Sequence, residues 1–96
     1  MIRVELYGKR ECALCDELKA SLLRIRQRIP FDLHEVDVEA TPDLRAVYGE
    51  RIPLLFVNGR LAFKFRADEG ALRRRLGREW LAECLRNLVP GADRAR

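Results

Sequence analysis

The chain has 96 residues and a formal net charge of +4, with 48% hydrophobic and 35% charged residues. That size suits one domain with one modest core, and the balance is too apolar for a disordered chain. No apolar run approaches the roughly 18 residues of a membrane span; Leu54-Leu55-Phe56-Val57 is strand-sized. The charge excess falls entirely after residue 60, and all cations but Lys9, Lys19 and Lys64 are arginines. Without an aromatic-interleaved basic stripe or zinc-finger spacing, this bias reads as a solvated helix face rather than a nucleic-acid surface.

Residues 2–7 alternate Ile2, Val4, Leu6 with Arg3, Glu5, Tyr7, which predicts a strand. The segment is charged from residue 3 and lacks the apolar stretch of a signal peptide. A cytoplasmic location is therefore expected, where thiols stay reduced. Gly8-Lys9-Arg10-Glu11 breaks the strand. Leu14, Leu18, Leu22, Ile25 and Ile29 then form a helical stripe that Pro30 ends. Phe31 to Val38 alternates again, less cleanly, as a second strand.

Thr41 and Pro42 fit the N-cap and first position of a short helix, with Gly49 as its stop. Two strand-like runs, 54–57 and 60–65, flank Asn58-Gly59, a dipeptide that tolerates the positive φ angles of a type I′ turn. Asp68 can N-cap a last helix whose apolar side carries Leu72, Leu76, Trp80, Leu81, Cys84, Leu85 and Leu88. Gly77 is a point where that helix could bend. The expected domain covers residues 1–89, and residues 90–96 read as a flexible polar tail.

The order β-α-β-α-β-β-α predicts an α/β fold: a four-stranded mixed sheet with helices on both faces. Cys12 and Cys15 fall between the first strand and first helix. Unpaired N–H groups and the positive end of the helix dipole there stabilise a Cys12 thiolate. Lys9 and Arg10 reinforce this; Asp16 and Glu17 oppose it. Side chains three apart are neighbours on a helix, so Cys15 can resolve a mixed disulfide formed on Cys12.

These residues resemble a family. Lys9-Arg10-Glu11-Cys12-Ala13-Leu14-Cys15 after the first strand, Arg51-Ile52-Pro53 before the third, and the Asn58-Gly59 hairpin are similar to small glutaredoxin-like proteins of the thioredoxin superfamily. The resemblance spans residues 1–85 and fits the poorly characterised glutaredoxin-like subgroup. It implies a thioredoxin-like fold and a cis Ile52–Pro53 bond beside the thiols, with the Ile52 backbone pairing a peptide or glutathione. It also implies that Lys9 contacts the glutathione glycyl carboxylate and that Asp68 lies near the γ-glutamyl end. The chain departs from the family in two places. Cys-Pro-Tyr-Cys is replaced by Cys12-Ala13-Leu14-Cys15, and the Gly-Gly before the last helix by Phe65-Arg66 or Arg66-Ala67.

The expected activity is thiol–disulfide exchange on protein or glutathione mixed disulfides, with glutathione or a flavoprotein reductase as electron donor. The alternative is a redox-regulated or metal-holding binding module without turnover. Only Cys84 and His34 could complete a four-ligand zinc site with Cys12 and Cys15, and they lie on distant elements. No bound cofactor, metal, nucleic acid or membrane is expected, and the chain is expected to be a monomer. Cys84 and Trp80 read as core residues, His34 as an edge residue, and Arg73-Arg74-Arg75 as a solvated face.

Overall fold

A computed structural model of the chain describes residues 1–88. Residue 89 and the tail expected at 90–96 lie outside the described residues. The elements are β1 (Ile2–Gly8), α1 (Ala13–Arg26), β2 (Phe31–Asp37), α2 (Pro42–Tyr48), β3 (Leu54–Val57), β4 (Arg60–Lys64) and α3 (Glu69–Leu88). The strands form one sheet in the order β2-β1-β3-β4, parallel between β1 and β2 and antiparallel elsewhere. The architecture is the expected α/β fold. Among the described residues no helix is long and apolar enough to cross a membrane.

Strand alternation sorts the two faces. Ile2, Val4 and Leu6 of β1, with Leu55 and Val57 of β3, are buried in one core with Leu18, Leu22 and Ile25 of α1 and Leu72 and Leu76 of α3. Each such side chain contributes about 1.5–3 kcal/mol by leaving water. On the other face the Tyr7 ring meets Tyr48 of α2 at 4.9 Å and Phe56 at 5.0 Å between centroids. Burial is the main cause that pushes the Tyr7 phenol above its ordinary value.

The caps follow the sequence. Thr41 Oγ1 accepts from Leu44 N–H at 3.1 Å, and Asp68 Oδ2 accepts from Ala71 N–H at 3.0 Å. Asn58 (φ 51°) and Gly59 (φ 81°) make the hairpin turn in the left-handed region. The Asn58 side chain also accepts from Arg3 N–H at 2.9 Å, tying the turn to β1. A bulge between Leu55 and Phe56 shifts the β3–β4 register, pairing Leu55 with Phe63 and Phe56 with Leu61.

Several details differ from the sequence expectation. α1 stops at Arg26, and Ile29 packs on the core from the turn beyond it. Cys15, not Leu14, joins Leu18, Leu22 and Ile25 on the buried face. Gly49 closes α2 with a right-handed φ of −51°. It is needed for space rather than for a left-handed turn, because a Cβ there would lie 2.5 Å from the Arg45 carbonyl oxygen. Strand β4 ends at Lys64, one residue early.

The largest difference is in α3. Only Leu72 and Leu76 are buried; Trp80 is 43% exposed, and Leu81, Leu85 and Leu88 are exposed too. The second half of this helix meets the sheet through polar contacts, Glu79 with the Asn58 amide and Glu83 with the Met1 amino group, while its apolar stripe stays open to solvent. Cys84 is half-buried rather than a core residue. The arginine run is a helix face as expected: Arg73 pairs with Glu69 at 3.5 Å and Arg75 with Glu79 at 3.2 Å, each one turn away. His34 sits exposed on edge strand β2, its Nε2 3.1 Å from Arg3 Nη1.

Candidate functional site

The thiols sit where β1 gives way to α1. Cys12 is the N-cap of α1, with extended backbone (φ −121°, ψ 104°), and its Sγ accepts from Cys15 N–H at 3.2 Å. Its carbonyl accepts from Asp16 N–H at 3.0 Å. Cys12 and Cys15 are joined as a disulfide, with Cα atoms 5.2 Å apart. Cys12 is half-buried, whereas Cys15 is only 5% exposed. The pair therefore presents one sulfur outward and holds the other inside. An N–H aimed at Cys12 Sγ and the helix dipole both favour negative charge on that outer sulfur after reduction.

Beneath the pair, the ends of all four strands line up in a row. In the parallel register Gly8 of β1 pairs with Asp37 of β2, and the Gly8 carbonyl accepts from Val38 N–H at 2.9 Å. In the antiparallel register Tyr7 pairs with Leu54, so Pro53 is the next residue beside Gly8. Pro53 in turn accepts through its carbonyl from Phe65 N–H at 2.6 Å. Asp37, Gly8, Pro53 and Phe65 thus form one continuous layer. Cys15 lies directly on it: a Cβ at Gly8 would be 3.0 Å from Cys15 Sγ and 3.3 Å from its Cβ.

The Ile52–Pro53 peptide bond is cis, as the family resemblance implies. Ile52 is half-buried, and neither its N–H nor its C=O takes part in a backbone hydrogen bond among the described residues. That leaves one peptide edge open next to the thiols. Lys9 is exposed on the β1–α1 turn. It borders a groove of about 390 Å³ lined by Cys15, Gly8, Val36, Lys19 and Glu35, the last two paired at 3.1 Å. Lys9 also borders a second groove, of about 510 Å³, beside Arg51 and α2.

Asp68 is not part of either groove. Its carboxylate caps α3, four residues after Lys64, and makes no hydrogen bond to Lys9, Cys12 or Ile52 among the described residues. Among those residues, too, no group of three or more His, Cys, Asp or Glu side chains gathers as a metal site.

Three residues here carry no conspicuous sequence signal. Gly8 looks like a plain strand breaker, yet it sets the clearance for Cys15. Glu11 adopts φ 55° immediately before Cys12, and Phe65 adopts φ 63° immediately after β4. Left-handed backbone costs a residue with a Cβ on the order of 1–2 kcal/mol, so Glu11 holds strain next to Cys12 and Phe65 holds it at the outer end of the row. Phe65 stands where the family's Gly-Gly is expected, and that is the one hint the sequence offers.

A mixed sheet of this topology, with two sulfurs at the first helix N-terminus and a cis-proline at the start of β3, is a thioredoxin-like fold carrying a paired-cysteine site. The glutaredoxin-like domain family (DUF836) matches residues 3–77, and the chain belongs to it. It is 31% identical over 81 residues to uncharacterised proteins of Mycobacterium tuberculosis and Mycobacterium bovis, a stretch covering 79% of this chain and 84% of theirs. Among solved structures, a structural-genomics target from X. campestris superimposes with a TM-score of 0.65 at 28% identity, covering 78% of this chain and 96% of that one. Protein Ne2328 of Nitrosomonas europaea gives 0.64 at 24%, covering 77% and 89%. Oxidised mitochondrial thioredoxin 3 of Saccharomyces cerevisiae shares the fold, with a TM-score of 0.59 at 21% identity over 80% of this chain and 77% of that one.

Proposed function

We infer that the protein is a dithiol–disulfide oxidoreductase in which Cys12 is the nucleophile and Cys15 the resolving thiol. The observation that carries this reading is the asymmetry of the pair: Cys12 caps the helix and meets solvent, while Cys15 is buried on Gly8. The Cys12 thiolate attacks one sulfur of a substrate disulfide. A Cys12–substrate S–S bond forms, and the other substrate sulfur leaves as a thiolate. Cys15, deprotonated, then attacks Cys12 Sγ. The Cys12–Cys15 bond forms and the remaining substrate thiolate departs. The substrate disulfide gains two electrons and the protein pair loses two. Two equivalents of a thiol such as glutathione, or a flavoprotein reductase, restore the dithiol.

Substrates in this reading are protein or glutathione mixed disulfides. The open Ile52 edge beside Pro53 suits an extended main chain. Lys9, exposed and without an ion-pair partner among the described residues, suits a carboxylate such as the glycyl end of glutathione. Asp68 keeps its Oδ1 for an ammonium group while Oδ2 caps the helix.

The test is a pair of variants read by mass spectrometry across a series of reduced-to-oxidised glutathione ratios. Cys12→Ser abolishes turnover and forms no adduct. Cys15→Ser accumulates a mixed disulfide on Cys12. The wild-type protein loses two mass units as the series becomes oxidising. Equal loss of activity in both variants with no trapped adduct, or a wild-type mass that never changes, would reject the reading in favour of a binding module.

A further inference from the structure

Phe65 combines features that its place in the fold does not require. Its backbone is left-handed at φ 63°, an outlier for a bulky residue. The residue is 45% exposed, so core burial does not compensate that strain. Its N–H is nevertheless fixed to the Pro53 carbonyl at 2.6 Å, in the same layer as Gly8 beneath Cys15. The strain therefore holds an aromatic ring at the surface, at the outer end of the row that carries the disulfide. Such strain persists only where the surrounding structure over-determines it and clusters at functional sites, and aromatic rings are common anchors in recognition.

The surroundings define what such a ring would meet. Residues 9–12, 51–53 and 64–66 flank this end of the sheet and hold five cations (Lys9, Arg10, Arg51, Lys64, Arg66) and one carboxylate (Glu11). Asp16 after Cys15 and Asp37 at the far end of the row add two carboxylates, so the cations still exceed the acids by two. None of these five cations forms an ion pair among the described residues. An open peptide edge at Ile52, an apolar ring at Phe65 and a positive rim together match an extended segment with an apolar side chain beside its cysteine and carboxylates further out. Glutathione lacks that apolar neighbour.

We propose that Phe65 is a specificity-determining residue that selects protein disulfides whose cysteine is flanked by an apolar side chain. This rests on the oxidoreductase reading above and names its substrate class. The ring contacts substrate while the cysteines carry out the exchange, so it acts on the choice of substrate and not on the electron transfer.

The test is a single-turnover reaction of the reduced protein with two short acidic peptides, alike except for Leu or Gly beside the cysteine. Each cysteine carries thionitrobenzoate as a mixed disulfide. Cys12 takes the peptide sulfur and releases coloured thionitrobenzoate; Cys15 then releases the peptide thiol and leaves the protein disulfide. An apolar contact of this size gives the wild-type protein about a tenfold preference for the Leu peptide. Phe65→Gly and Phe65→Asn both tolerate the positive φ and bring the ratio near one, and Phe65→Leu keeps most of it. Urea midpoints of the variants establish that they are folded. Equal rates for the two peptides in the wild type, or an undiminished ratio in both Gly and Asn variants, would overturn the assignment alone. No thionitrobenzoate release from either peptide would overturn the redox reading and this inference together.

Discussion

The sulfur of Cys15 rests on the main chain of Gly8, so closely that a Cβ at residue 8 would come within 3.0 Å of it. The disulfide ties Cys15 to Cys12, which is itself fixed as the cap of α1. In the dithiol Cys15 regains rotation about its own side chain. Gly8→Ala therefore costs about 1–3 kcal/mol in the oxidised protein and less in the reduced one. Urea denaturation of both states measures the difference. The same inequality predicts a variant that stays reduced at more oxidising glutathione ratios than the wild type. Equal losses in the two states would show that the contact is indifferent to the redox state.

The two halves of α3 differ in what they contribute to stability. Leu72 is fully buried between the sheet and α1, so Leu72→Ala costs about 2–5 kcal/mol. Trp80, the larger side chain, is 43% exposed, and Trp80→Ala costs about 1 kcal/mol. Urea midpoints rank the pair. A Trp80 loss matching that of Leu72 would mean the second half of the helix is covered in solution.

Asp68 offers a separation between capping and ligand binding. Asp68→Ala removes the acceptor for Ala71 N–H and costs about 1 kcal/mol. Asp68→Asn keeps that acceptor and most of the stability but removes the charge. If Asp68 also holds the ammonium of glutathione, the Asn variant shows weaker turnover of glutathione mixed disulfides at near wild-type stability. Turnover unchanged in the Asn variant would leave Asp68 as a cap alone.

A pH dependence follows from the link between α1 and α3. Arg24 donates to Glu69 Oε1 through Nε at 3.0 Å and Nη2 at 2.6 Å. That pairing chiefly, with help from Ser21, holds the Glu69 carboxyl below its ordinary value. A carboxyl with a lowered folded pKa contributes stability that is present above its unfolded value and lost as pH falls through the folded one. The urea midpoint of the wild type therefore drops on the acid side of the ordinary carboxylate range. Glu69→Gln shows a smaller drop over the same interval. Arg24 is exposed and Glu69 only half-buried, so salt weakens the effect.

Much of the fold was legible because each element carries its own local pattern. The Ile2, Val4, Leu6 alternation, the Thr41-Pro42 start and the Asn58-Gly59 turn each act over a few residues, and each appears where expected. The cysteine pair was legible for the same reason. Periodicity identifies a helix face but not how far the surface opposite it extends. That is why Trp80, Leu81 and Leu85 looked like core beside Leu72 and Leu76. The contact of Gly8 with Cys15 and the bond from Phe65 to Pro53 join residues brought together only by strand register. No spacing in the sequence encodes them.

The bulge at Leu55 and Phe56 has a consequence unrelated to thiols. Strand β4 is an outer strand of the sheet and carries the exposed Leu61 between Arg60 and Lys64. A flat outer strand with an apolar side chain invites a second molecule to add its own strand. A bulge bends and twists the strand that carries it, and here it falls where β4 pairs with β3; the flanking cations repel a like neighbour. A bulge and flanking cations are the features by which an outer strand is blunted against sheet-to-sheet pairing, and β4 carries both.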